Sequence, residues 1–581
     1  MKRQRILTVV LILSMVVLSA GNWNVPTDHA AVITVNTTDD ELNSDSDCSL
    51  REAIQAANSD SAVSGCAAGS GVDIITLPAG FYTLTIPGTG EDDNATGDLD
   101  ITSDLTINGE VGSTIIQAGT NLNNGIDRVL DIHNAIVDMN HLWIEYGKTP
   151  NTPGEIDGGG IRNSYGTLTL NNSYVSSNSG HWRGGGIYST GGMLTLNNTT
   201  VGSNNADVGG GIFNQSHTTM TLNSSSVSGN NAYDAGGIRS HGTLTLTNTT
   251  VSANVAEHDG GGISNGQFST LKLENSTVST NTAERDGGGI HNRGSMILDN
   301  SNLIDNTADS DHDLSGNGGG IWNEGPLDVY NSAISNNNAT YGGGIYINGD
   351  ITLILSKSTV ADNVCAYNGA GIYNGGSSAF LVLHRSTIKG NDTGLGNGGG
   401  IYHGSGDMTL NTCTVSGNTS GNSGGGIYTA GTLTLNNSTI AHNAADVNNS
   451  SGDGGGIYIS NGLTQAKNTI IGNNSDRFPQ TPDCWGTLTS QGYNLLENTT
   501  GCSFTPTTGD ITGSDPKLSS LGDNGGPTWT HALQTGSPAI EKIPDGSNGC
   551  MAGVSTDQRS YLRAGGVGYG GSLCDIGSYE Y

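Results

Sequence analysis

A phrase repeated twelve times governs what this chain can fold into. Residues 424–443 give it most plainly, GGGIYTAGTLTLNNSTIAHN. Its isoleucine returns as Ile161, Ile187, Ile212, Ile238, Ile263, Ile290, Ile321, Ile345, Ile372, Ile401, Ile427 and Ile457, at spacings of 24 to 31 residues that mostly fall at 25–27. A period of this size means one supersecondary unit per repeat, stacked as a solenoid.

The pattern inside the unit selects the kind of solenoid. Three short apolar segments alternate with period two, Gly-Ile-Tyr, Leu433-Thr-Leu435 and Thr-Ile440, with no helical periodicity. Gly and Asn separate them, and both accept the left-handed conformations of sharp turns. Three strands and three turns make one coil of a parallel β-helix. Three residues beyond the third-strand apolar residue every repeat carries asparagine: Asn178, Asn204, Asn230, Asn254, Asn281, Asn306, Asn337, Asn363, Asn391, Asn418, Asn443 and Asn473. Stacked about 4.8 Å apart, their amides can bond in series and satisfy a buried turn. The many Asn-x-Ser/Thr triplets lie in the same repeats and are read as ladder chemistry before glycosylation. The expected fold is all-β: a right-handed parallel β-helix of about fourteen to sixteen coils, its hand following the preference of parallel crossovers.

Residues 1–20 read as an export signal: Lys2, Arg3 and Arg5, then an apolar run from Ile6 to Leu18, then Ser19-Ala20. That run is short for a membrane span, and no other candidate span follows, so the mature chain is expected to be secreted or on the cell surface. Cleavage is expected between Ala20 and Ala31. Loss of the three basic residues takes the formal net charge from −32 to −35. Such a charge repels nucleic acid and anionic lipid, so neither is an expected partner. Glycine, at 91 of 581 residues, has no collagen period.

Eight cysteines in an exported chain point to disulfides. Proximity in sequence pairs Cys48 with Cys66, Cys484 with Cys502 and Cys550 with Cys574. Cys365 and Cys413 occupy different positions of coils two apart, about 10 Å along the axis, too far to bridge, so they are expected as buried small hydrophobes.

Residues 21–72 read as an N-terminal region with a cap over the open end of the solenoid, which would otherwise invite edge pairing. Ser49-Leu50-Arg51-Glu52 is a capping box, and Leu50, Ile54 and Ala57 give the short helix an apolar side. Cys48-Ser49-Leu50-Arg51-Glu52-Ala53-Ile54 resembles the N-terminal motif of bacterial CSLREA-domain surface proteins. In that family the motif leads into a pectin-lyase-like right-handed β-helix, which the resemblance implies for residues 73–475. The GGGI-x-N phrasing also resembles the repeats of polymorphic outer-membrane adhesins. Residues 476–581 gain prolines and four cysteines. Segments such as Asp523-Asn-Gly-Gly-Pro-Thr528 and Cys574-Asp-Ile-Gly-Ser-Tyr-Glu580 resemble the C-terminal module of choice-of-anchor β-helix proteins. With no tail after Tyr581, release or non-covalent retention is expected.

Two features could carry chemistry. The residue after each repeat isoleucine points outward if the isoleucine points in. From the seventh repeat it is aromatic without a break: Trp322, Tyr346, Tyr373, Tyr402, Tyr428 and Tyr458. Such a column could be a platform for sugar rings, or stacking that stabilises the coil. Where Arg239, Ser264 and His291 interrupt it, the position before the glycines reads Asp234, Asp259 and Asp286. Stacked carboxylates ask for a cation or raised pKa values, and calcium suits oxygen donors. Asp234, Asp259, Asp286, Arg239 and His291 would then serve a lyase or hydrolase acting on acidic polysaccharide. A solvated acidic turn is the plainer alternative. An adhesin-like, non-enzymatic rod that binds glycans or neighbouring surfaces is the expected function, with the polysaccharide-cleaving enzyme second.

Overall fold

The structure, a computed structural model, describes residues 30–311, 313–448, 452–477, 481–551, 555–563 and 573–581. The export signal read over residues 1–20 lies outside them.

The repeat isoleucines stack in register, Ile161 on Ile187, Ile212, Ile238 and onward to Ile457. A leucine column follows the second segment, through Leu168, Leu194, Met220 and Leu244. A valine column follows the third, through Val175, Val201, Val227 and Val251. All these ladders are parallel, and their inward side chains are fully buried. They wind into a parallel β-helix of about fourteen turns. Each buried Leu, Ile or Val contributes roughly 1.5–3 kcal/mol, so the core grows in equal steps coil by coil.

The glycines make close stacking possible. Gly424 takes φ +71°, and a Cβ on Gly425 or Gly426 would lie 2.4 or 2.6 Å from the backbone of the next coil. No side chain fits there.

The asparagine ladder is built as the spacing implies. Asn281 Nδ2 donates to Val251 O (3.0 Å) and to Asn306 Oδ1 (3.0 Å), while its Oδ1 accepts from the backbone and side-chain nitrogens of Asn254 (3.1 and 2.9 Å). One member differs from the sequence reading. Ile471, not Ile470, stacks on inward-facing Ile440, so the ladder residue is Asn474, which receives Asn443 Nδ2 at 3.0 Å. Asn473 turns to Glu497 instead (3.0 Å). The doublet Ile470-Ile471 satisfies period two in either register, which hid the shift.

A second ladder of hydroxyls runs through the turn after the leucine strand. Ser225 Oγ accepts from Thr199 N (3.1 Å), Ser276 Oγ from Thr249 N (3.1 Å), and so on to Ser438, which accepts from Cys413 N (3.2 Å). Ser173, Thr199, Ser225 and Ser438 of this column close Asn-x-Ser/Thr triplets, and they are buried. Cys413 holds the one position of this column between Ser386 and Ser438 where a thiol replaces the hydroxyl. Its burial pushes the thiol up to about 12. Cys413→Ser restores a stronger acceptor for the Ser386 amide, with an expected gain of about 0.5–1.5 kcal/mol in denaturant unfolding.

The structure has a fourth ladder where the sequence showed three. Segments such as Asn205–Val208, Asn231–Asp234 and Val255–Ala256 pair in parallel just after the asparagine turn. Most of these strands are two residues long, too short for alternation to register. Their inward position carries small residues, Ala206, Ala232, Ala256 and Ala283, and Cys365 continues that column between Ala339 and Thr393. Both unpaired cysteines are buried.

Three disulfides form, Cys48–Cys66, Cys484–Cys502 and Cys550–Cys574, with Cα separations of 4.8, 5.3 and 5.8 Å. At the N-terminal end the helix Leu50–Ser59 carries the capping box of Ser49 and Glu52. Buried Arg51 binds Asp40 (2.7 Å) and the carbonyls of Gly97 (2.8 Å) and Asp98 (2.9 Å), tying the cap to the first coils.

Beyond the last regular phrase the ladders run on: Cys484 stacks on Ile457, Leu496 on Ile471 and Ile511 on Leu495. The remaining chain then folds back along the outer face of the valine ladder. Gln558 Nε2 donates to Thr387 Oγ1 (2.9 Å), and its Oε1 accepts from Thr414 Oγ1 (2.7 Å). Ser416 pairs with His531 (2.8 Å), and Ser578 with Thr439 (3.0 Å). This strap buries outward threonines that stay exposed or half-buried in earlier coils.

Candidate functional site

The outward column beside the isoleucines is continuous over the rod. It reads Tyr188, Phe213, Arg239, Ser264, His291, Trp322 and then the tyrosines, each in register with the next. Tyr346, Tyr373, Tyr402, Tyr428 and Tyr458 stack ring on ring, with centroids 4.8 to 5.2 Å apart and planes within 10°. His291 stacks on Trp322 at 4.3 Å and 11°. A ring sandwiched this way has both faces covered and offers solvent only its edge and hydroxyl. Trp485 ends the stack, 6.4 Å from Tyr458 and 39% exposed.

The acidic turn lies in the next column over. Asp234, Asp259 and Asp286 stack between Val208 and Asn317, and each carboxylate already has a partner. Asp234 accepts from Arg239 (2.9 Å), which also reaches Ser264 Oγ (2.6 Å) and His241 (3.2 Å). Asp259 lies 3.3 Å from His258 Nδ1 and accepts from Asp286 N (3.3 Å). Asp286 turns away to Asn317, accepting from its backbone N (3.0 Å) and Nδ2 (2.9 Å). Asp234, His258 and Asp259 keep ligand atoms within 4.8 Å of one another, and Asp286 is not among them.

Burial pushes the Asp234 carboxyl up, Arg239 opposes this, and Asp259 adds to it. Burial also raises Asp286, helped by the charge of Asp259. His291 is held neutral, its pKa pushed down to about 3 by burial. It is 2% exposed, and its Nε2 is 3.8 Å from Asp259. Ala235, next to Asp234, occupies the left-handed position that glycine fills in neighbouring coils, at φ +61°.

Beside this turn an open groove of about 700 Å³ crosses the fourth ladder. Its walls include Trp182, Asp207, Tyr233, Asp234, Glu257 and His258. Trp182 is 46% and Tyr233 55% exposed, so both present ring surface to the groove; Tyr233 stacks on His258 at 5.4 Å. The groove rests on the ladder that alternation does not reveal; of its lining the sequence marks Asp234 as a candidate, with Tyr233, Glu257 and His258 as its neighbours in the charged turn.

A second charged cluster, of which the sequence marks only Arg162 as outward-facing, lies at the head of the same column. Asp100, Asp131 and Arg162 are the first members of the outward column, in register ahead of Tyr188. Arg128, fully buried, binds Asp98 (2.8 Å), Asp131 (3.0 Å) and Glu155 (2.8 Å), and Arg162 pairs with Asp131 and Glu155. Burial pushes Asp98 up to about 7, Asp127 to about 6 and Asp100 to about 9, with Asp98 and Asp131 adding to the last. The signal was present in the repeated Leu99-Asp-Ile101 and Leu130-Asp-Ile132. Neither carries the glycine phrase that marks the later coils.

No helix among the described residues is long and apolar enough to cross a membrane. No protein-family profile and no curated protein matches the sequence. Among solved structures the chain aligns with a pectate lyase, Pel9A, over 95% of its own length and 96% of that chain, at 13% identity and a TM-score of 0.23. The β-helix assignment stands on the ladders themselves.

Proposed function

We propose that the protein is an extracellular or cell-surface rod that binds glycan chains in the groove over Trp182 and Tyr233. The observation that carries this reading is the pair of exposed aromatic rings in an open cleft lined by carboxylates and by Asn205 and Asn231. Aromatic surface suits the apolar face of a sugar ring, and the polar groups suit its hydroxyls. Acidic walls favour neutral or amino sugars, and would need a bridging cation to hold a uronate. The tyrosine column from Tyr346 to Tyr458, with Trp322, belongs in this reading to the stability of the rod, because the tyrosines stack on one another and Trp322 stacks on His291.

Polysaccharide cleavage is the second reading, and Asp234 favours it. Its carboxyl lines the groove and is raised by burial, as an acid catalyst requires. Against it, Asp234, Asp259 and Asp286 are all engaged, and His291 is sealed from the groove.

Glycan-array binding followed by calorimetry tests the first reading. Trp182→Ala/Tyr233→Ala is expected to weaken binding by about tenfold or more with no loss of stability, since both rings are exposed. Tyr373→Ala is expected to lower stability and leave affinity unchanged. Loss of binding in Tyr373→Ala alone would move the site to the column. Release of unsaturated product or reducing ends, abolished in Asp234→Asn, would make the protein an enzyme.

A further inference from the structure

The charged cluster under the first coils holds donor atoms that its own arginines leave unanswered. The geometry points to a divalent transition-metal site there, built by Asp100, Asp131, His133 and Asp92.

The arginines are committed mainly elsewhere. Arg128 and Arg162 both bind the Oδ2 of Asp131, their other close contacts go mainly to Asp98 and Glu155, and Arg162 lies 3.7 Å from Asp92 Oδ1. Asp131 Oδ1 is left over. It is completely buried, makes no hydrogen bond, and faces His133 Nε2 at 3.2 Å. His133 Nε2 makes none either, and lies 3.6 Å from Asp92 Oδ1. Asp100, also fully buried, has its Oδ2 on Asn94 N (3.0 Å) and its Oδ1 without a partner. One atom from each of the four residues lies within 4.8 Å of the other three.

Close approach without hydrogen-bond geometry is what ligands show when they point at a common centre rather than at each other. Ligands about 2.0–2.2 Å from a tetrahedral ion stand roughly 3.3–3.6 Å apart, and the two measured separations, 3.2 and 3.6 Å, bracket that edge. An unpaired buried carboxylate oxygen is costly, and a cation is the plainest remedy. The imidazole decides the class of ion. Calcium and magnesium take oxygen, whereas a mixed set of imidazole and carboxylate suits zinc or manganese.

The site has one open side. Asp92 is 65% exposed in its side chain, whereas Asp131 is sealed. The loop that bears Asp92 is held by Asn94 Nδ2 on Arg51 O (2.8 Å), and Arg51 belongs to the cap helix. A metal here would clamp that loop to the coils of Asp100 and Asp131. This inference is independent of glycan binding in the groove.

Purified protein stripped with chelator, then titrated with Zn²⁺, Mn²⁺, Ca²⁺ and Mg²⁺ by calorimetry, tests it. One equivalent of Zn²⁺ or Mn²⁺ should bind about tenfold or more tightly than Ca²⁺ and raise the melting temperature. His133→Gln and Asp100→Asn should each weaken that binding about tenfold or more. Asp234→Asn/Asp259→Asn should leave it unchanged, which separates this site from the other acidic cluster. His133 lies at the open side, so its variant should fold. Co²⁺ absorption bands that shift in His133→Gln would report the nitrogen ligand directly. Absence of stoichiometric uptake, preference for Ca²⁺, or binding untouched by His133→Gln would each overturn the proposal.

Discussion

Asn281→Ala is expected to destabilise the rod by about 3–5 kcal/mol, more than any single coil-surface substitution. The alanine removes the acceptor for both nitrogens of Asn254, at 3.1 and 2.9 Å, and the donor to Val251 O. Asn254 is wholly buried, so water cannot replace what is lost. Each stranded group costs roughly 1–3 kcal/mol. Asn281→Asp should be no better, because an ionised carboxylate accepts but cannot donate to Val251 or Asn306. Urea unfolding followed by circular dichroism would measure the effect, and a solenoid broken at its middle should unfold in more than one step. A loss below about 1 kcal/mol would show that the ladder is incidental to stability. The same change at Asn473, which sits outside the ladder, should cost far less than at Asn474.

Arg128→Met is the second large effect, about 3–5 kcal/mol at pH 7. The guanidinium is the shared partner of Asp98, Asp131 and Glu155, and its removal leaves buried carboxylates facing one another. The penalty should shrink on acidification. Burial already holds Asp98 at about 7, and Arg128 works against that rise. Without Arg128 the folded-state pKa climbs further above the unfolded value of about 3.9. A carboxyl raised in the folded state binds more protons there, so its contribution to stability falls as pH rises through that window and returns as pH drops. Denaturant curves at pH 5 and pH 8, in chelator, should therefore show a smaller difference between variant and parent at pH 5. An equal difference at both would mean that the carboxylates find other partners.

How much of this was legible depended on whether the signal was repeated. The isoleucine, leucine and valine columns and the asparagine ladder recur in the regular coils, so register followed from spacing, except at the Ile470-Ile471 doublet, where it lies one residue further on. The disulfides followed from proximity. The fourth ladder escaped because strands such as Val255–Ala256 are too short to alternate. The groove on that ladder escaped with it: Trp182 and Tyr233 come from different coils and share no motif. Asp100 and Asp131 escaped because the coils before Ile161 lack the glycine phrase that sets the frame, whereas Arg162 follows the first repeat isoleucine and reads directly as outward. The acidic turn was found as a line of residues, but its pairings depended on side-chain direction. Asp286 bends to Asn317 while Asp234 bends to Arg239, a difference that position in the repeat does not encode.

The returning strap changes how the rod meets force. A pull on the last residues reaches the Ser578–Thr439 contact, then Gln558 on Thr414 and Thr387, and not the terminal coils alone. Load would enter the side of the rod and step backward through three earlier coils. The coils of Ile470 and Leu495 would share it, because the strap also packs on them through Ile543, Cys574 and Ile576. Held by its C-terminal end in flow, the protein would resist by peeling a strap from a rigid wall, one hydrogen-bonded coil at a time, before any coil of the wall had to open.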